Sequence, residues 1–168
     1  MFGLANLQNF EHARKLMQVY REEAKAHGWE PTPADFVISL TASVDDDIDL
    51  AKDRLTEGRR YFANVLGGGL RTAQQIVLQK TRYMDDDTRS KFQGANAQAK
   101  ISVDDLINEG IVVCGTPEMA VEQIKRVHGE LGMDNVNINM KVGNIPDPVI
   151  SNQIKIFGEK ILPQVKHL

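Results

Sequence analysis

The sequence has little of several features that mark particular classes of protein. It contains one cysteine, Cys114, which excludes an internal disulfide and favours a reducing compartment. Its net charge of −3 provides no basic field for nucleic acid. It has no apolar run near the roughly 20 residues of a membrane helix, and its start, "MFGLANLQNFEHARK", lacks the basic and long apolar regions of a signal peptide. These absences predict a cytoplasmic protein that binds neither nucleic acid nor membrane.

The sequence also lacks the spacing of common metal and cofactor motifs. In the acidic run "DDDID" at 45–49, Leu50 and Thr56 stand where a calcium loop needs glycine and glutamate. A solvated helix N-terminus is therefore predicted there. "GGGLRT" from residue 67 lacks the third glycine of a dinucleotide fingerprint, which favours a helix stop over a phosphate contact. No metal site is expected, since none of the histidines has ligand spacing: His12, His27, His128 and His167.

What the sequence does contain is an alternation of helical and strand patterns, over a length suited to one domain, residues 1–168. The first helix begins near Phe10 and ends near Gly28, and residues 1–9 before it show no strand pattern. "DFVISLTASV" then alternates with a period of two, as a strand does, and an acid-started helix follows. Residues 70–109 are predicted to form a helical excursion. Alternating helices and strands imply parallel strands joined by right-handed crossovers.

The remaining elements follow the same pattern. "GIVVCG" predicts a short buried strand, in which Cys114 is interpreted as a core residue, with a reactive thiol as the alternative. Thr116 caps the next helix. "NVNINMKV" is the clearest strand, with Val136, Ile138, Met140 and Val142 expected to be buried. Asp147 is expected to cap a final helix that ends at Pro163 and buries one stripe: Ile150, Ile154, Phe157 and Ile161.

The polar faces of the two long strands are the candidate functional residues. In a barrel of parallel strands the outward face packs on helices, and inward residues near the strand ends meet the active-site mouth. The inward set would be Ser39, Thr41, Ser43, Asn139 and Lys141. The alternative is an open sheet with one solvated face.

The residues themselves support a resemblance to a known family. The segment from Val112, "VVCGTPEMAVEQIKRVHGELGMDNVNINMKVGNIPDPVISNQIKIFGEKILPQV", resembles the C-terminal end of bacterial luciferase-like, flavin-dependent monooxygenases. "YREEAKAHGWEPTPADFVISLTASVDDDIDLAKDRL" is similar to the preceding unit of that family. The matching positions, in order along the chain, are Val113, Gly115, Thr116, Pro117, Glu118, Gly143, Pro146, Phe157, Glu159, Leu162 and Pro163.

The resemblance implies a fold and a chemistry. Such enzymes are (β/α)₈ TIM-type barrels that use reduced FMN, or deazaflavin F420 in some branches, to activate oxygen or move hydride. The expected fold is therefore α/β: the C-terminal portion of such a barrel, with about three parallel strands, flanking helices and a helical insertion. The resemblance also implies a small-molecule substrate and a flavin as partners of the complete barrel.

The pocket residues expected on this basis form one wall. Asn139 and Lys141 would face the flavin or substrate, and Gly143 would let a loop approach closely. Ser39 and Thr41 would contact substrate. Lys141 would pair with an anionic ligand group, or else be an exposed strand-end lysine. No catalytic residue is transferred, because the expected catalytic positions lie on earlier strands.

Two functions follow as alternatives. The first is the C-terminal portion of a flavin-dependent monooxygenase, an oxidoreductase acting with O₂, which would be incomplete as a catalyst alone. The second is a non-catalytic oligomerisation or interaction module derived from that family, and a shortened reading frame would also explain the length. A homodimer or higher oligomer is expected in each case, because a few barrel strands leave unpaired edges.

Overall fold

The computed structural model describes residues 2–4, 9–66, 68–69 and 101–168, and in this part of the chain helices and strands alternate as expected. All strand pairings are parallel. The strands are β1 (Phe2–Leu4), β2 (Phe36–Val44), β3 (Val112–Gly115) and β4 (Asn135–Asn139). The helices are α1 (Phe10–Ala26), α2 (Ile48–Tyr61), α3 (Val103–Asn108), α4 (Pro117–Leu131) and α5 (Asp147–Ile156). The α/β class with a parallel sheet and flanking helices is thus confirmed.

Short segments extend these elements. A 3₁₀ turn, Pro33–Asp35, precedes β2. One π-helical turn, Phe62–Leu66, continues α2. A second, Phe157–Ile161, continues α5 into α6 (Leu162–Val165).

Helix boundaries follow the capping residues that the sequence displays. The hydroxyl oxygen of Ser102 accepts the N–H of Asp105 at the start of α3, and Thr116 is the N-cap of α4, with Pro117 in its first turn. Gly132 ends α4 with φ +58°, a left-handed conformation that glycine adopts without strain. The acidic run caps α2, because the Asp47 carboxylate accepts the N–H groups of Asp49 and Leu50.

Strand β2 lies at the centre of the sheet. Ile38 pairs with both β1 and β4, and Thr41 pairs with both β3 and β4. Strand β4 therefore occupies one edge of β2, whereas β1 and β3 follow each other along the opposite edge. Crossovers that run in opposite directions across a parallel sheet carry their helices to opposite faces, since each crossover is right-handed.

The helices accordingly pack on both faces of the sheet. The larger core lies against α1, α4 and α5 and contains the apolar residues of β2: Phe36, Ile38, Leu40, Ala42 and Val44. A smaller core lies between α2, α3 and the other face of β3: Ala51, Leu55, Val103, Leu106, Val112 and Cys114. Within the described residues, no helix combines the length and apolarity needed to cross a membrane.

Three expectations need correction or fall outside the described residues. Residues 2–4 form β1, which was missed because three residues are too few to show a period. The final helix begins one residue earlier than expected, since Pro146 is its N-cap and Asp147 is its first helical residue, and it continues past Pro163 to Val165. Its buried residues are Gln153, Ile156 and Ile161, while Ile154 is 58% exposed. Most of the predicted excursion, residues 70–100, lies outside the described residues, as does most of "GGGLRT".

Candidate functional site

A polar strip runs along one face of the two longest strands. The register places Ser39 beside Asn137 and Thr41 beside Asn139. The Asn137 amide donates to the Ser39 hydroxyl oxygen at 3.3 Å, and both asparagines are exposed. We define this set, Ser39, Thr41, Asn137 and Asn139, as the polar strip. It presents amide and hydroxyl groups, which donate and accept hydrogen bonds, on one side of a rigid sheet.

The sequence correctly predicted on which side each residue of β4 lies. Val136, Ile138 and Met140 pack against the larger core, although they are half-buried rather than fully buried. Asn139 and Lys141 are exposed. The strand itself ends at Asn139, so Val142 belongs to the following loop.

The same sheet face is covered near the end of β2. Ser43 is paired in register with Cys114 and is completely buried, because α2 and α3 pack over this part of the sheet. Its hydroxyl has no hydrogen-bond partner among the described residues. Ser43 is therefore separated from the rest of the predicted inward set, in which Ser39, Asn139 and Lys141 are exposed and Thr41 is half-buried.

Cys114 is a core residue, as one of the two interpretations held. Burial raises the pKa of its thiol to about 12. Its backbone groups are also occupied, since Gln123 accepts the Cys114 N–H and donates to the Cys114 carbonyl oxygen. Little thiolate, the nucleophilic form, exists at neutral pH.

We expect Cys114 to react with a thiol reagent at pH 8 at least about a hundredfold more slowly in the native protein than in the unfolded chain, because both thiolate fraction and access are reduced. Timed labelling with 5,5′-dithiobis(2-nitrobenzoate), with and without denaturant, measures the ratio. Equal rates in the two conditions would contradict the buried position.

Lys141 stands at the start of the loop after β4. Its backbone N–H donates to the Asn139 side-chain oxygen at 3.1 Å, and its ammonium group forms an ion pair with Asp147. The hydrogen bond and charge of Lys141 lower the pKa of Asp147. Both side chains are well exposed, so the ion pair is open to exchange with an anionic ligand.

Gly143 has a structural role that the sequence did not reveal. Its φ of +62° lies in the left-handed region, and a Cβ there would overlap the carbonyl oxygen of Gly58 in α2. The two glycines therefore allow the loop and α2 to touch backbone to backbone. The approach of this loop to a ligand, expected from the sequence, stays a prediction.

Charged residues gather where the strands end. Asp45, directly after β2, forms an ion pair with Arg54 of α2 in which both side chains are mostly buried. Burial tends to raise the pKa of Asp45, but the N–H of Asp47 and the guanidinium of Arg54 hold it below its usual value. Asp46 pairs with Lys160 at 2.6 Å, which joins this loop to the final helix. Sequence reasoning missed both pairs, because their members are far apart along the chain or were assigned only to helix capping.

Asp45 and Asp46 are engaged with cations, and Asp47 accepts the N–H groups at the start of α2. Within the described residues, no group of three histidine, cysteine or acidic side chains is arranged to hold a metal ion. A separate shallow cavity of about 230 Å³ lies at the end of α2, lined by Glu57, Arg60, Tyr61, Asn64, Val65 and Asn144. Its lining residues are exposed.

Two solved structures share this fold. The structure of monooxygenase RslO1 from Streptomyces bottropensis aligns with a TM-score of 0.59 and 20% identity, over 96% of this chain and 40% of that one. The oxygenating constituent of 3,6-diketocamphane monooxygenase from Pseudomonas putida, a type II Baeyer-Villiger monooxygenase in complex with FMN, aligns with a TM-score of 0.62 and 16% identity, over 95% of this chain and 41% of that one. The chain thus spans about 40% of the length of these structures.

The sequence also matches a family model directly. The model describes the luciferase-like monooxygenases, and the match covers residues 1–135. It therefore includes α1, β2, α2, β3 and α4, and with them Ser39 and Thr41 of the polar strip, whereas Asn137 and Asn139 lie beyond the matched residues. The chain belongs to the luciferase-like monooxygenase family.

Proposed function

We propose that this chain is the C-terminal portion of a flavin-dependent monooxygenase and forms one wall of the pocket for flavin and substrate. The observation that carries the proposal is the polar strip, a row of hydrogen-bonding side chains that are exposed apart from the half-buried Thr41 and lie on the sheet face opposite the larger core. A polar row on a rigid strand is suited to orient a ligand, because neighbouring strands hold its side chains at fixed spacing.

FMN is the cofactor we propose, since the Pseudomonas putida protein was solved in complex with it. The described residues fit FMN as one wall. The amides of Asn137 and Asn139 can donate to and accept from the polar edge of a flavin ring, and Lys141 can exchange Asp147 for a phosphate. When bound and reduced, FMN supplies the activation of oxygen. F420 is the alternative cofactor.

We further propose that catalysis requires more polypeptide than this chain. The polar strip is open on the side away from the sheet in the described residues, whereas a ligand pocket surrounds most of its ligand. In the complete protein a second wall would face the strip. A cytoplasmic location is part of this proposal, because a lone buried cysteine is suited to a reducing compartment.

We expect the chain alone to bind FMN weakly and to show no monooxygenase turnover. Titration of ¹⁵N-labelled protein with FMN should shift the backbone amide signals of Thr41, Asn139 and Lys141, and leave that of Val19, on the outer side of α1, in place. Replacement of Lys141 by alanine should reduce the shifts. The matched control is Lys125→Ala, since Lys125 is also exposed and paired with an acid, but lies on α4.

Two results would contradict parts of this proposal. Sub-micromolar FMN binding by the chain alone would show that the pocket is complete. Shifts confined to other residues would show that the polar strip is not the wall. A parallel titration with F420 distinguishes the two cofactors.

The second candidate function, a non-catalytic interaction module, is favoured by the sheet edges. Within the described residues, β4 pairs on one side only, and an unpaired edge offers backbone N–H and C=O groups to another strand. Self-association as a homodimer is therefore proposed under both functions. Absence of FMN-dependent shifts together with dimer formation would favour the interaction module.

A further inference from the structure

The outer edge of β4 lacks the features with which proteins usually protect an exposed strand. Among the described residues, only β2 pairs with β4. Natural edge strands carry proline, charge or a bulge that discourages pairing with another chain. The segment Asn135–Asn139 contains neither proline nor a charged residue. Its edge is therefore chemically open to a further strand.

The sequence of this edge is self-complementary. "NVNIN" has the same pattern of residue types in both directions about Asn137. In an antiparallel pair centred on Asn137, Val136 would lie opposite Ile138 of a second copy, and Asn135 opposite Asn139. Apolar side chains would then meet on one face and amides on the other, an arrangement in which cross-strand pairs stabilise the sheet.

The burial of β4 supports the same partner. Val136 and Ile138 pack on the larger core, yet both remain half-buried, while their neighbours in β2, Ile38 and Leu40, are fully buried. A strand added at the outer edge would cover the exposed part of both side chains. An identical strand supplies matching apolar residues at the required positions.

We propose that β4 pairs antiparallel with β4 of a second copy, about a two-fold axis through Asn137. This inference rests on the self-association proposed above and names its site. A two-fold interface uses the same patch on both subunits, and a palindromic edge meets that requirement. A five-residue strand buries less surface than a standard interface of about 1,600 Å², so we expect a reversible dimer in the micromolar range.

The axis gives a specific test, because residue 137 would face its own copy. Asn137→Asp and Asn137→Lys each place like charges opposite one another in a homodimer. We expect each variant to weaken the dimer at least about fivefold in sedimentation equilibrium. An equimolar mixture of the two variants should restore association as a heterodimer, and salt should reduce the differences among these samples.

Ser39→Ala is the matched control. It removes the hydrogen bond from Asn137 without adding charge to the edge, and should leave the dimer constant unchanged. Urea unfolding of each variant at low protein concentration verifies that it is folded.

Three outcomes overturn the inference, and they differ in what else they affect. A wild-type chain that remains monomeric overturns both self-association and its site. A dimer that is insensitive to both charge variants, or variants whose mixture associates no better than either alone, overturns the β4 pairing only. The FMN titration reports on the strand face and not on its edge, so its result is independent of these.

Discussion

Replacement of Gln153 by glutamate is expected to destabilise the protein by about 3–5 kcal/mol at pH 7.5, and by much less below pH 4. Gln153 is completely buried under the end of β2. Its side-chain oxygen accepts the N–H of Val44 at 3.1 Å, while its amide nitrogen has no partner among the described residues. Glutamate has the same shape and retains the acceptor. When ionised, however, it places an unpaired charge in the core.

The sign of the pH dependence follows from that burial. Desolvation raises the pKa of the introduced carboxyl in the folded state above its value of about 4.3 in the unfolded chain. The stability of the variant is therefore retained below the unfolded pKa and lost as the pH rises toward the folded one. The effect is measured by urea unfolding of the variant and of the wild type at each pH. A range from about pH 3.5 to about pH 8 includes the ordinary carboxyl pKa and values well above it.

Gln164→Glu provides the control for this substitution. Gln164 lies on the same terminal helix and is exposed. The Gln164→Glu substitution should change the free energy of unfolding by less than about 0.5 kcal/mol. Equal effects at the two positions would contradict the burial of Gln153.

Replacement of Gly58 by alanine is expected to destabilise the protein by about 3 kcal/mol, although alanine is usually preferred to glycine within a helix. Gly58 lies inside α2, where alanine is ordinarily favoured by about 1 kcal/mol. Here a Cβ would lie 2.6 Å from the carbonyl oxygen of Val142. Backbone atoms cannot rotate away as a side chain can, so α2 would have to separate from the loop after β4.

Gly129→Ala is the matched control within α4. A Cβ at Gly129 has no heavy atom within 4 Å, and the residue is exposed. This variant should gain up to about 1 kcal/mol. The changes in the free energy of unfolding relative to wild type, measured by urea denaturation, should therefore have opposite signs for Gly58→Ala and Gly129→Ala. A stabilising effect at both glycines would mean that α2 does not contact the loop.

The contrast between these glycines shows that the sequence does not reveal contacts between segments that are distant along the chain. Both occur within amphipathic helical segments, and nothing local distinguishes them. Gly58 is required only because the loop after β4, at Val142 and Gly143, approaches α2 closely. Gln153 is similar, since a polar residue in a helix is ordinarily placed on the solvent side. Strand β4 pairs with β2 only as far as Thr41, so the backbone N–H of Val44 finds no acceptor on β4. The side-chain oxygen of Gln153 accepts that N–H, which keeps Gln153 in the core.

The sequence by itself determined what is local or periodic. The alternation of β2 and β4 assigned their faces, the caps at Ser102 and Thr116 began their helices, and short motifs in a characteristic order indicated the family. These signals depend on neighbours within a few residues along the chain.

Only the tertiary structure decided how the strands are ordered and what covers them. Strand β1 exists because β2 offers it a partner, and β4 lies beside β2 rather than β3. That order carries α2 to the polar face, which buries Ser43 and Cys114 and leaves Ser39, Thr41 and Asn139 accessible. Side-chain period specifies the two faces of a strand, but it contains no information about which strand pairs with which, because every parallel edge offers the same backbone groups.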